Sequence, residues 1–199
     1  MGRKLEFDRD KALTKATELF WKRGYVNTSV AQLQKAMKLG EGSFYNTFKS
    51  KKRLYLECLG HYNQTFMSPR SVALRGERPS KARILEFFDV VVEDLSNNKA
   101  PGCLVSNSLS NEVLAERELK SYLWTRFEVF LDYLAGIVTQ GQQSGELEPG
   151  LDPTTTARVL FTYLHGLNRL SVYAYDAEAR RAETQSFVDA VLPLANTPR

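Results

Sequence analysis

Sulfur and imidazole are scarce in this chain, with two cysteines and two histidines among 199 residues. Cys58 and Cys103 do not form a CxxC pair, so neither a redox dithiol nor a disulfide framework is expected. With only His61 and His165 to add, no convincing zinc site can be assembled, and neither metal nor cofactor is expected. A Walker loop, a GxGxxG turn and a GxSxG elbow are all missing, which removes the common nucleotide-binding and hydrolase signatures. No apolar run approaches the ~18 residues that would span a membrane. Met1-Gly2-Arg3-Lys4-Leu5 has basic residues with no apolar stretch behind them, so no export signal is read. Two sequons, Asn27-Thr28-Ser29 and Asn63-Gln64-Thr65, carry no meaning without secretion. These absences point to a non-catalytic protein of the cytoplasm.

What is present is helical periodicity and an uneven charge. Hydrophobic content of 43% and charged content of 25% are ordinary for a globular chain. The net charge is +4, yet residues 1–55 hold 13 Lys and Arg against 5 Asp and Glu, a balance of +8. The remainder is at −4. A basic N-terminal module on an acidic remainder points the first part at a polyanion.

The stretch from Thr28 to Leu54 organises the rest. Thr28 or Ser29 can cap a helix whose Val30, Leu33 and Met37 share one face. Leu39-Gly40-Glu41-Gly42 breaks it, as a turn between steeply crossing helices requires. In Ser43-Phe44-Tyr45-Asn46-Thr47-Phe48 the two phenylalanines are four apart and anchor one face, leaving Ser43, Asn46 and Thr47 outward and Tyr45 at the flank. Lys49, Lys51, Lys52 and Arg53 follow. A short polar helix on an aromatic anchor beside cations suits a DNA groove. Ser43, Asn46 and Thr47 are the candidates for base edges; Thr28, Ser29, Tyr45, Lys49 and Lys51 are the candidates for phosphates. Arg3 and Lys4 form a short arm that either follows the DNA backbone or is a solvated tail.

The spacing of Gly42, Phe44, Tyr45, Phe48, Ser50, Lys51 and Leu54 resembles the DNA-binding signature of TetR-type transcriptional regulators. The resemblance covers roughly the first quarter of the chain; Gly40 and Thr47 depart from it, at positions where Ser or Thr, and His or Tyr, are usual. It implies an all-α, nine-helix fold with a helix-turn-helix domain over 1–50 and a regulatory domain over 51–199. It also implies a homodimer on double-stranded operator DNA, answering a small-molecule or electrophile effector as repressor or activator.

The residue pattern accommodates nine helices. The first starts at Asp8, buries Ala12, Leu13, Ala16, Leu19 and Phe20, and ends at Gly24. Ser50 starts the fourth; the run from Ser68-Pro69 to Pro79-Ser80 reads as a break and the one candidate linker, expected to be a partly mobile loop. Ile84, Phe87, Phe88, Val91, Val92 and Leu95 give the fifth a wide apolar face, closed by Asn97-Asn98-Lys99-Ala100-Pro101-Gly102. Two outcomes fit such faces: a solid core, or a core opened around a ligand. The resemblance favours a cavity, with Phe66, Phe88, Trp124, Phe127, Tyr163, His165 and Arg169 as candidate walls. Pro101-Gly102-Cys103-Leu104 puts a thiol in the first turn of the sixth helix, where the dipole favours a thiolate. With Asn107 and Glu112 it resembles the NemR-like subgroup, implying an electrophile switch; the alternative is a small buried hydrophobe. A thiol enzyme using Cys103 with His165 is the rival from another class. Gly166 inside helix eight costs about 1 kcal/mol relative to Ala and fits a close helix approach, so helices eight and nine are the expected dimer face.

Overall fold

The computed structural model describes residues 8–97, 102–170 and 176–195. The Arg3-Lys4 arm and the Asn98–Pro101 break lie outside the described residues. Among those described there are eleven α-helical segments and, apart from the isolated bridge Leu147–Leu194, no β pairing. The backbone falls into two compact units. One takes in the described residues up to 67 together with 103–122; the other holds those of 68–102 and from 123 onward.

In the first unit α1 (Arg9–Arg23) starts where Asp8 accepts from the Lys11 N–H, and it ends at Gly24, whose φ of 76° suits glycine. Ser29 caps α2 (Val30–Met37) in a reciprocal capping box with Gln32. Next come α3 (Glu41–Phe48) and α4 (Lys51–Tyr62), the latter capped by the Ser50 hydroxyl. A π-helical turn, Asn63–Met67, extends α4. Of the expected shared core, Leu13, Phe20, Leu33, Met37, Phe44 and Phe48 are buried, while Leu19 and Val30 are half-buried. Each fully buried large side chain contributes about 1.5–3 kcal/mol. Trp21 is packing: its ring meets Tyr62 and Phe66 edge-on, both at 4.9 Å.

The second unit opens with α5 (Ser68–Arg70) and a 3-10 turn, Ser71–Leu74. The expected linker is thus mostly built into helical turns, because Ala73 and Leu74 are buried and Arg70 pairs with Asp94 at 2.5 Å. Then comes α6 (Ser80–Ser96), which presents the anticipated apolar face.

The expected sixth helix is broken into α7 (Leu104–Asn107) and α8 (Asn111–Ala115), both in the first unit. Serines mark the break: the Ser108 hydroxyl joins its own N–H in donating to the Leu104 carbonyl, and the Ser110 hydroxyl caps α8 by accepting from the Val113 N–H.

The long α9 (Arg117–Gln143) gives residues up to Tyr122 to the first unit and the rest to the second. Gly141 lies inside it, where a Cβ would come within 2.6 Å of Leu147. Finally α10 (Pro153–Leu170) and α11 (Ala177–Val191) pack with α6 around Phe87, Phe88, Val91, Leu160, Leu164 and Val188.

Candidate nucleic-acid interface

Phe44 and Phe48 are 0% and 1% exposed, so α3 is held by an aromatic floor. Its other side is open: Ser43, Tyr45 and Asn46 are exposed and Thr47 is half-buried. The Tyr45 ring rests edge-on against Phe44 at 5.2 Å, which steadies a side chain that is still 44% exposed. Eight residues of helix rise about 12 Å, close to the ~12 Å width of a B-DNA major groove.

The bends at either end of α3 differ from the expected ones. Gly40 is the N-cap with φ −74°, and Gly42 lies inside the helix; neither needs to be glycine for its own backbone. The left-handed residues are lysines. Lys38 ends α2 at φ 55°, its N–H turned back to the carbonyls of Gln34 and Lys35. Lys49 ends α3 at φ 65°, and its Nζ donates to the Asn46 carbonyl at 2.8 Å. A left-handed conformation costs a non-glycine residue roughly 1–2 kcal/mol.

The geometry distinguishes the candidate contacts from one another. Thr28 is 0% exposed and donates its hydroxyl to the Gly24 carbonyl at 2.7 Å, so it is not presented to a phosphate. Ser29 is exposed, with its oxygen accepting from Gln32 N–H. The four clustered cations divide. Lys52 pairs with Glu116 at 3.4 Å and Glu118 at 3.6 Å, and Arg53 pairs with Glu118 at 3.1 Å. The Lys52 hydrogen bond to Glu116 raises its pKa. Lys51 lays its ammonium over the Tyr25 ring at 4.3 Å, and burial lowers its pKa. Among the described residues Lys35, Lys38 and Lys49 form no ion pair within 4 Å.

The segment bearing Cys103 belongs to this same unit. Cys103 is the N-cap of α7 and 5% exposed. The helix it precedes, α7, is a single turn of four residues. The segment is pinned from below: the Tyr55 hydroxyl and the Ser108 Oγ are 2.5 Å apart, and both are buried. Burial pushes the Tyr55 phenol well above its ordinary range. Nothing in the sequence pattern flagged Ser108.

The other candidate wall residues fall in both compact units. Phe66 falls in the first unit, 37% exposed and stacked on Tyr62 at 5.3 Å. Phe88 and Tyr163 meet edge-on at 5.4 Å in the second unit, and Tyr163 stacks on Phe187 at 3.9 Å. Phe127 and His165 meet at 5.5 Å with Phe161 against both, and burial lowers the His165 pKa. Phe161 was missed because it sits beside the stripe of Leu160, Leu164 and Leu167, whereas Phe187 was read only as part of the last helix's apolar face. Trp124 is 46% exposed and Arg169 is exposed. Two open clefts, of about 460 and 300 Å³, share Gly76, Arg83 and Gln140 and hold none of these residues. Cys103 and His165 belong to different units.

A capped helix, a left-handed turn and a second short helix with exposed polar residues define a helix-turn-helix protein that reads double-stranded DNA. The chain belongs to the TetR family of bacterial transcriptional regulators. Residues 12–58 match the family model described as bacterial regulatory proteins, tetR family, and residues 80–187 match that of the tetracyclin repressor-like C-terminal domain. It is 28% identical to the HTH-type transcriptional repressor ComR of Escherichia coli K12, over 84% of this chain and 80% of that protein. It is 26% identical to the repressor DhaR of Mycobacterium sp. GP1, over 79% of each. A cysteine-substituted form of the TetR family regulator CifR, solved with 26-base-pair double-strand operator DNA, superposes with a TM-score of 0.85. Its identity is 27%, over 94% of this chain and 99% of that one. The reduced form of E. coli NemR, at 21% identity and TM-score 0.77 over 95% and 99%, shares the fold. Among the described residues no helix is long and apolar enough to cross a membrane.

Proposed function

We propose that this protein is a cytoplasmic repressor that binds operator DNA as a homodimer and is released when a small molecule or electrophile acts on the segment around Cys103. One observation supports the release step above the rest. The 103–122 segment packs with α1 and α4, the helices that carry α3, and the Tyr55–Ser108 hydrogen bond ties it down. A group attached to a thiol that is 5% exposed cannot fit without displacing α7, and α7 rests on α1 and α4. The bound and released states then differ in affinity for DNA, as a population shift requires.

The dimer face is read from α10 and α11. Among the described residues, and apart from its own helix backbone, nothing lies within 4 Å of a Cβ added at Gly166, which leaves room there for a close approach by a second copy. Val159 and Thr162 share its face at helical spacing and are exposed, as are Ala182, Ser186 and Ala190 on α11. Two-fold pairing there would set two copies of α3 on half-sites ~34 Å apart.

The test begins by enriching duplexes from a randomised pool with the full-length protein. Anisotropy on the enriched duplex then follows the effect of N-ethylmaleimide. Wild type should release the DNA, while Cys103→Ser, which keeps Cys58, should hold it. Equal release from both proteins would remove Cys103 as the switch. Enrichment of nothing would remove the operator itself.

A further inference from the structure

Two exposed residues of the described chain hold a left-handed backbone without being glycine, and both are lysines, Lys38 and Lys49. They stand at opposite ends of α3. Each position favours glycine or asparagine on steric grounds. Strained backbone persists where the surrounding structure enforces it and is concentrated at functional sites. Local bonding enforces it at Lys38: its own N–H reaches the Gln34 and Lys35 carbonyls, and the Leu39 N–H reaches Gln34 at 2.9 Å. The backbone there would be served at least as well by glycine. What glycine could not supply is the ammonium group.

That ammonium group is free. Lys38 forms no ion pair within 4 Å among the described residues, whereas Lys52 and Arg53 are occupied by Glu116 and Glu118. The helix between the two lysines is about 12 Å long, and the major groove is ~12 Å wide. Cations at both ends of a rod of that length fall near the two phosphate rims when the rod lies in the groove. We propose that Lys38 is a phosphate-binding residue which, with Lys49 at the far end of α3, brackets the groove and fixes the depth and tilt of the reading helix. This rests on the DNA-binding assignment and adds a residue that the sequence pattern did not single out.

The experiment uses full-length protein and a fluorescein-labelled duplex of mixed sequence, titrated between about 50 and 200 mM salt. Lys38→Gly should keep its melting temperature, since glycine takes φ 55° freely. Its slope of log affinity against log salt should shrink by about 0.9 per subunit, the signature of one lost phosphate contact. Lys38→Gln should lose the same slope with the side-chain bulk retained, and Lys38→Arg should retain it. Unchanged slopes in the Gly and Gln variants would overturn the proposal. So would a loss confined to Lys38→Gly, which would trace to backbone and not charge. A wild-type protein blind to duplex at low salt would take down the DNA-binding reading together with this one.

Discussion

The two tryptophans sit one in each compact unit, and their settings differ as the units do. Trp21 is 7% exposed and locked edge-on against Tyr62 and Phe66; Trp124 is 46% exposed with Phe127 at 5.9 Å. In the first unit the aromatic side chains form a floor beneath a polar working face, so packing and chemistry occupy opposite sides of α3. In the second unit aromatic and aliphatic side chains of α6, α9, α10 and α11 pack against one another, with Phe88 against Tyr163 and Phe127 against His165. A short helix divides its roles by face, which periodicity exposes. A bundle interior divides them by which side chains fail to fill the space, which periodicity does not show. Single-tryptophan variants make each unit its own reporter.

The largest expected effect comes from removing the floor. Phe44→Ala should cost about 3–5 kcal/mol in denaturant unfolding read at Trp21, because a fully buried ring leaves a cavity. It should also abolish duplex affinity, since α3 loses its anchor. Phe88→Ala, 2% exposed in the second unit, should cost a similar amount read at Trp124 while leaving the reading helix in place. If Phe44→Ala destabilised the protein by less than 1 kcal/mol, the division of α3 into floor and face would be wrong.

A smaller effect separates the units by pH. Burial pushes the Cys58 thiol up to about 12, opposed in part by a hydrogen bond with Thr17. The folded thiol therefore keeps its proton where an unfolded one, near 9.0, loses it. Stability from this group is complete below pH 9 and declines as pH rises toward 12. At pH 10 the loss is about 1.4 kcal/mol. Cys58→Val should reduce the alkaline decline between pH 8 and 10 as read at Trp21. An identical decline in the variant would show that the thiol is not the titrating group.

Much of the first unit was legible because its rules are local. Asp8, Ser29 and Ser50 cap as their side-chain oxygens dictate, and Phe44 and Phe48 share a face because four residues nearly complete a turn. What was not legible there was which side chains are already engaged. Thr28 is turned inward to the Gly24 carbonyl four residues back, and Lys52 and Arg53, in the basic run, pair with glutamates more than sixty positions away. Glycine was taken as the bend of the turn, yet the left-handed residue is Lys38, because tertiary packing overrides local preference. In the second unit the helices were legible from their wide apolar stripes. The cavity was not, since a stripe records only that a face is covered. That Cys103 and Ser108 would join α1 and α4 required the fold.

The smallest effect tests the acid side, where the contrast between units should reverse. His165 lies between Phe127 and Phe161, and burial lowers its pKa below 6.5. The folded ring therefore stays neutral at a pH where the unfolded ring takes a proton. For a depressed base the sign is fixed: its contribution is present above pH 6.5 and declines as pH falls through that value. The decline belongs to the second unit, so Trp124 should report it more strongly than Trp21. His165→Phe keeps an aromatic ring against both neighbours and removes the titration, so unfolding curves between pH 7 and 5 should converge in that variant. Were the acid decline at Trp124 unchanged in His165→Phe, carboxylates rather than this imidazole would set it, and burial in the aromatic cluster would carry no pH signal.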